Sequence, residues 1–161
     1  SPMSASPARA SAARRAPPPP STERGGDVPA SIREAATDGQ AGAVLAWLDG
    51  GGWVDETLEY TFGDGYRASG MTLLMIAMSN GHAELAEALL RRGADVSLQK
   101  SDGGTALGLA AANGREKLVE LAVRHGAEVD RKNSNGGTAL IDAAYKGYER
   151  VVDTLTRHGA E

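Results

Sequence analysis

Apolar residues in the second half of the chain fall into short blocks at helical spacing, and the blocks come in pairs. "TALGLAAA" (105–112) reads as a brief apolar helix that ends at Gly114, a residue able to take the left-handed conformation that stops a helix. A second helix is predicted over Glu116–Arg124, with Leu118, Val119, Leu121, Ala122 and Val123 as its apolar positions. It stops at "HGA", where Gly126 closes it. Polar residues and a "GG" pair then lead to the next threonine, whose side chain suits a helix N-cap. Small residues on the first helix of each pair (Ala110, Ala111, Ala143, Ala144) allow neighbouring helices to approach closely.

The paired blocks repeat. "GMTLLMIAMSNGHAELAEALLRRGADVSLQK", "GGTALGLAAANGREKLVELAVRHGAEVDRKN" and "GGTALIDAAYKGYERVVDTLTRHGAE" align without gaps. Thr72, Thr105 and Thr138 are 33 residues apart, as are Gly81, Gly114 and Gly147, and Gly93, Gly126 and Gly159. An earlier unit, "PASIREAATDGQAGAVLAWLDGGGWVD", fits the same frame with Gly39 in the role of Gly81; their separation of 42 is 33 plus nine. A lone unit of this kind cannot bury its apolar faces, whereas stacked units can. The frame puts Leu85, Leu118 and Val151 at one core position. It puts Trp47 with Leu89 and Leu155 at another, where burial is expected.

These residues resemble the ankyrin repeat, whose pattern runs G-x-T-P-L-H-x-A-A-x-x-G-H, then a second helix, then G-A-D. The resemblance covers residues 30–161. It implies an all-α solenoid of helix–turn–helix units joined by β-hairpin-like fingers. Repeats fall at about 29–55, 70–97, 103–130 and 136–161, with an enlarged finger at 55–70 and a Pro/Ala/Arg-rich tail at 1–28. The family proline is replaced by Leu73, Ala106 and Ala139, and the family histidine by Met75, Gly108 and Ile141, so the polar network that histidine makes is missing. The end units look like caps. Arg33 and Glu34 stand where the second unit has Met75 and Ile76, while Asp142, Thr154 and Thr156 make the last unit more polar. Four units are therefore expected to form a complete domain.

The nine surplus residues lie in "GWVDETLEYTFGDGYRASGMTLL" (52–74), which holds four of the seven aromatic residues: Trp53, Tyr60, Phe62 and Tyr66. Extra residues in a finger lengthen a loop without disturbing the stack, and such loops often lie on a binding face. Two readings stand together. The rings pack on one another to hold a long loop, or at least one is an exposed anchor for a partner.

Composition narrows the functional classes. Hydrophobic residues make up 41% of the 161 residues but aromatics only 4%, which suits packed helices built from Ala, Leu, Val, Ile and Met. The net charge is −4; residues 1–22 carry three arginines and no acid, so the remainder sums to −7. An acidic body argues against nucleic acid as the partner. No apolar run approaches the length of a membrane span, so no membrane insertion is expected. The tail has almost nothing to bury and is expected to be disordered. Its Arg-, Ser- and Ala-rich composition also resembles an organelle transit peptide, although a cytoplasmic or nuclear setting fits the cysteine-free chain.

Catalytic and cofactor motifs do not assemble. His82, His125 and His158 do not cluster, and the last two sit just before helix-ending glycines, where a cation favours the helix terminus. "GDGYRA" lacks the strand and helix of a dinucleotide site. Asp55 and Glu56 read as solvated carboxylates on an exposed turn rather than an acid–base pair. No metal or cofactor is expected. The resemblance instead implies partner binding through the exposed ends of the first helices and the finger tips. On the helices these are Thr37, Asp38, Ser79, Asn80, Ala112, Asn113, Tyr145 and Lys146. On the fingers they are Gln99 to Asp102, with Lys100 among them, and Lys132 to Asn135, beside the four aromatic residues of the first finger. Finger charge runs from −3 over 55–70, through zero over 97–104, to +1 over 130–137. The expected function is a non-catalytic, monomeric module that binds a protein or peptide. The alternative is a regulatory or targeting domain of a larger enzyme, channel or scaffold.

Overall fold

The computed structural model describes residues 27–160. Eight helices occur among them: α1 (Ala30–Thr37), α2 (Ala41–Asp49), α3 (Leu73–Asn80), α4 (Ala83–Arg91), α5 (Ala106–Ala112), α6 (Glu116–Arg124), α7 (Ala139–Lys146) and α8 (Glu149–Arg157). Two strands, β1 (Leu58–Thr61) and β2 (Arg67–Met71), pair antiparallel between α2 and α3. Each odd-numbered helix packs on the even-numbered helix that follows it. The first helices α1, α3, α5 and α7 then stack in one row, and α2, α4, α6 and α8 in a second. This is the predicted all-α solenoid, with one finger drawn out into a true hairpin.

Local chemistry sets the helix ends. The hydroxyls of Thr72, Thr105 and Thr138 accept from the backbone N–H three residues on, at 3.2, 3.1 and 3.2 Å. Each thus satisfies a donor that the first helical turn leaves open. Gly81 ends α3 at φ +80°, a conformation a side chain would strain.

The core is continuous and almost wholly aliphatic. It includes Leu85, Leu118 and Val151 at their shared position, and every residue from Met71 to Ser79 is buried. The α3 helix has no polar face because α1, α4 and α5 surround it and the hairpin feeds directly into it.

Several expectations need correction. Trp47 is half buried, unlike its repeat equivalents Leu89 and Leu155, because the indole is too large to be enclosed where a leucine is. Its indole lies over Gly52 so closely that a Cβ there would fall 2.5 Å from the ring. Thr154 is fully buried rather than part of a polar outer face, and it accepts from Arg157 Nη2 at 3.2 Å. The outward side of the last unit instead presents Ile141, 55% exposed, and Tyr145. Val28, counted with the tail, is buried in the core. The rest of the tail expectation, residues 1–26, lies outside the described residues.

Candidate functional site

The hairpin lies over the row of first helices and is fastened there by its alternation. Leu58, Tyr60 and Phe62 are half buried, while Glu59 and Thr61 between them are exposed. The Phe62 ring bridges the other two. It meets Tyr60 edge-on at 5.1 Å between centroids and stacks with Tyr66 at 5.9 Å. Trp53, at the base of the finger, is half buried. The Tyr60 hydroxyl reaches the C-terminal ends of two first helices. It accepts from Asn80 Nδ2 at 3.3 Å and lies 3.2 Å from Thr37 Oγ1. Thr37 spends its single proton on the Arg33 carbonyl at 2.8 Å, so the Tyr60 hydroxyl is the donor to Thr37. His82 joins the same corner, with Nε2 2.6 Å from the Thr37 carbonyl; that nitrogen therefore carries the proton.

The fingers are laced to one another by the same device one repeat apart. Ser101 N donates to the Ser69 carbonyl at 2.9 Å, and Ser134 N to the Asp102 carbonyl at 2.8 Å. Gly103, at φ +82°, permits the second contact, since a Cβ there would meet Ser134 N at 2.9 Å. In finger three the Asn133 carboxamide oxygen accepts from the amides of Asn135 and Gly137 at 2.9 and 2.8 Å. Finger two has Lys100 at that position and divides the work. Asp102 accepts from Gly104 N at 2.9 Å and pairs with Lys100 Nζ, which lies 5.4 Å from the centre of the Tyr66 ring. The Tyr66 hydroxyl donates to Asp102 at 3.2 Å. Burial opposes ionisation of Asp102. The hydrogen bonds from Lys100 and Gly104, the Lys100 charge and the Tyr66 hydroxyl outweigh it and hold the carboxyl below its usual pKa of 3.8. Asp142 lines a groove of about 180 Å³ together with Lys100, Asp102 and Asn133. Burial raises its pKa, and the Asp102 charge adds to that against the opposing pull of Lys146.

This geometry sorts the residues that the repeat pattern offered as partner contacts. Lys100, only 7% exposed, and Ser79 are buried rather than presented to solvent. Lys100 is committed to Asp102; Ser79 lies 3.4 Å from Asn113 Nδ2, which also donates to the Leu109 carbonyl at 2.8 Å. Asn80 is spent on the Ile76 carbonyl and Tyr60. Gln99 accepts from Arg131 at 2.7 Å and donates to the Gly103 carbonyl at 2.8 Å. These side chains join repeats. Asp55 and Glu56 are likewise buried, not on an exposed turn, and the Asp55 carboxylate accepts from Asp95 N at 2.9 Å. Gln99 and Asn113 are hydrogen-bonded yet exposed; in solvent with them are Asp38, Tyr66 at 48% exposure, Ser101, Lys132, Ser134, Asn135, Tyr145 at 88% and Lys146.

Sequence reasoning missed the Lys100–Asp102–Tyr66 node. Its one trace is the departure of "QKSDGG" (99–104) from "KNSNGG" (132–137), where a lysine replaces the turn-forming asparagine. It also passed over Arg33, Glu34 and Glu59 as parts of one groove. Among the described residues no group of three His, Cys, Asp or Glu is placed to hold a metal ion. No helix there is long and apolar enough to cross a membrane. A sequence model of ankyrin repeats, in three copies, matches residues 74–161, more than half of the chain. No curated protein matches the chain.

Proposed function

The chain belongs to the ankyrin-repeat family, whose members are generally protein–protein interaction modules and typically non-catalytic. From that premise we propose that it binds a protein or peptide partner along its fingers and first helices, as a monomer and with no chemistry of its own.

One observation carries this reading. Many polar side chains on that face are consumed in joining repeats, yet the rings of Tyr66 and Tyr145 remain in solvent, as do Lys132 and Lys146. Exposed aromatic rings on a rigid frame make binding anchors at small entropic cost. The frame is already ordered by the inter-finger bonds at Ser101 and Ser134, so little of the binding free energy is spent on arranging it.

The test is capture from a native extract with three proteins: wild type, a Tyr66→Ala/Lys132→Ala/Tyr145→Ala variant, and an Arg91→Ala/Arg124→Ala variant on the second helices. The proposal expects a partner retained by the first and third and lost by the second. Retention by all three refutes it.

A further inference from the structure

The hairpin has two edges, and they differ. On the β2 side the Ser69 carbonyl already accepts from Ser101 N, so finger two occupies that edge. On the β1 side the ladder leaves groups open. Phe62 N donates to the Tyr66 carbonyl at 2.8 Å, and Tyr60 pairs with Ala68. By the alternation of an antiparallel pair, Thr61 then directs its N–H and C=O groups away from β2, and Glu59 does so as the neighbour of Tyr60, at a bulge in the register between Leu58 and Tyr60. No third strand joins the sheet among the described residues. Instead a groove of about 430 Å³ lies between this edge and α1.

We propose that this groove takes an extended, Lys- or Arg-rich segment of a partner protein, which pairs along β1 as a third strand. The inference rests on the reading of the finger as a binding element and names its ligand class. Three observations support that occupant. First, neither proline nor lysine stands on this edge, and the devices it does carry, its four-residue length, a bulge and the anionic Glu59, repel anionic or self pairing more than a cationic strand. Second, the groove sets Glu34, Asp38 and Glu59 against the single Arg33. Glu59 is paired with Arg67 at 2.9 Å, but Glu34 and Asp38 have no ion-pair partner among the described residues. Cationic side chains of an incoming strand would find those two carboxylates. Third, Arg33, which lines the groove, keeps its Nε buried with no acceptor, and reordering of that side chain as the strand adds would free the donor to pair. A second copy is a poorer occupant, because antiparallel β1–β1 pairing would set Glu59 near its own counterpart.

The experiment uses the full chain and a short synthetic peptide of alternating Arg and Val, with a Glu/Val peptide as control, followed by amide NMR and hydrogen exchange. The Arg/Val peptide is expected to shift the Glu59 and Thr61 amides and slow their exchange by about tenfold or more, while the control does neither. Thr61→Pro removes an outward donor at an edge position that tolerates proline, and is expected to weaken binding by about tenfold. The Glu34→Lys/Asp38→Lys variant, which leaves the strand intact, is expected to do the same. Glu59 and Thr61 amides that exchange slowly in the free chain would show the edge already occupied, by the chain's own N-terminal residues or by a second copy, and would overturn the proposal. So would the absence of any shift at about millimolar peptide. Shifts confined to Lys132–Asn135 and α7 would overturn the β1 edge while leaving the wider interaction-module reading in place.

Discussion

Removing the Tyr60 hydroxyl isolates what the finger contributes to the stack. In Tyr60→Phe the ring keeps its edge-on contact with Phe62 at 5.1 Å, and only the two hydrogen bonds of the hydroxyl disappear. Neither former partner is stranded. Thr37 Oγ1 still donates to the Arg33 carbonyl at 2.8 Å, and Asn80 Nδ2 to the Ile76 carbonyl at 2.9 Å. The cost is therefore the net value of two half-buried hydrogen bonds without a desolvation penalty, about 1–2 kcal/mol in total. Tyr60→Ala loses the ring pair as well, about 0.5–1.5 kcal/mol. It also loses the burial of roughly half a ring, about 1 kcal/mol. The sum for Tyr60→Ala is about 2.5–4.5 kcal/mol. Urea unfolding followed by circular dichroism measures both variants against wild type. Exchange at Ser101 N should also quicken in Tyr60→Ala, because its acceptor Ser69 lies on the strand that Tyr60 helps to hold. Unchanged midpoints for both variants would refute the reasoning. They would mean that the finger opens independently of the stack and that none of these contacts bears on global stability.

Three further outcomes follow from the same contacts. Leu118→Ala, at a position only 2% exposed, is expected to cost about 2–5 kcal/mol by chemical denaturation. Thr105→Ala removes the acceptor for Gly108 N and is expected to cost about 1 kcal/mol; a cost near zero would mean that water serves that amide equally well. Asp102 has a folded-state pKa below its ordinary 3.8, so its ionised form favours the folded state. That contribution is full above the unfolded value and is lost as pH falls through the folded one. Asp142, with its pKa raised, has the opposite sign: its penalty is present above its folded value and is relieved on acidification. Stability of wild type relative to Asp102→Asn should thus stay level at neutral pH and shrink as pH drops below about 4, and a difference independent of pH would remove the electrostatic account of this node.

The order of elements was legible in the chain itself. Thr72, Thr105 and Thr138 cap helices through bonds to amides three residues away, and Gly81 and Gly147 end them by their own backbone preference. Interactions this local are written into a short stretch of sequence, and the 33-residue period shows them several times over. That is why helix bounds such as Glu116–Arg124 and the shared core position of Leu85, Leu118 and Val151 could be read directly.

The candidate site was legible only in part, because its polar side chains answer to neighbours from other repeats. Sequence marks Lys100, Ser79 and Asp55 as hydrophilic, but each is buried by a partner or a neighbouring unit that its own repeat does not contain. Asp55 meets the amide of Asp95, 40 residues on, and the Tyr60 hydroxyl meets Thr37, 23 residues back. The same holds for apolar residues. Ile141 is exposed and its repeat equivalent Met75 is buried, since the next unit covers one and no described residue covers the other. Tyr145, in the same last unit, stays in solvent for the same reason. The periodic pattern alone determined the repeating frame, because local propensity and apolar spacing act within each unit. Tertiary structure decided which side chains that frame consumes and which it leaves to a partner, because burial and hydrogen bonding belong to pairs of residues that only the stacked chain brings together.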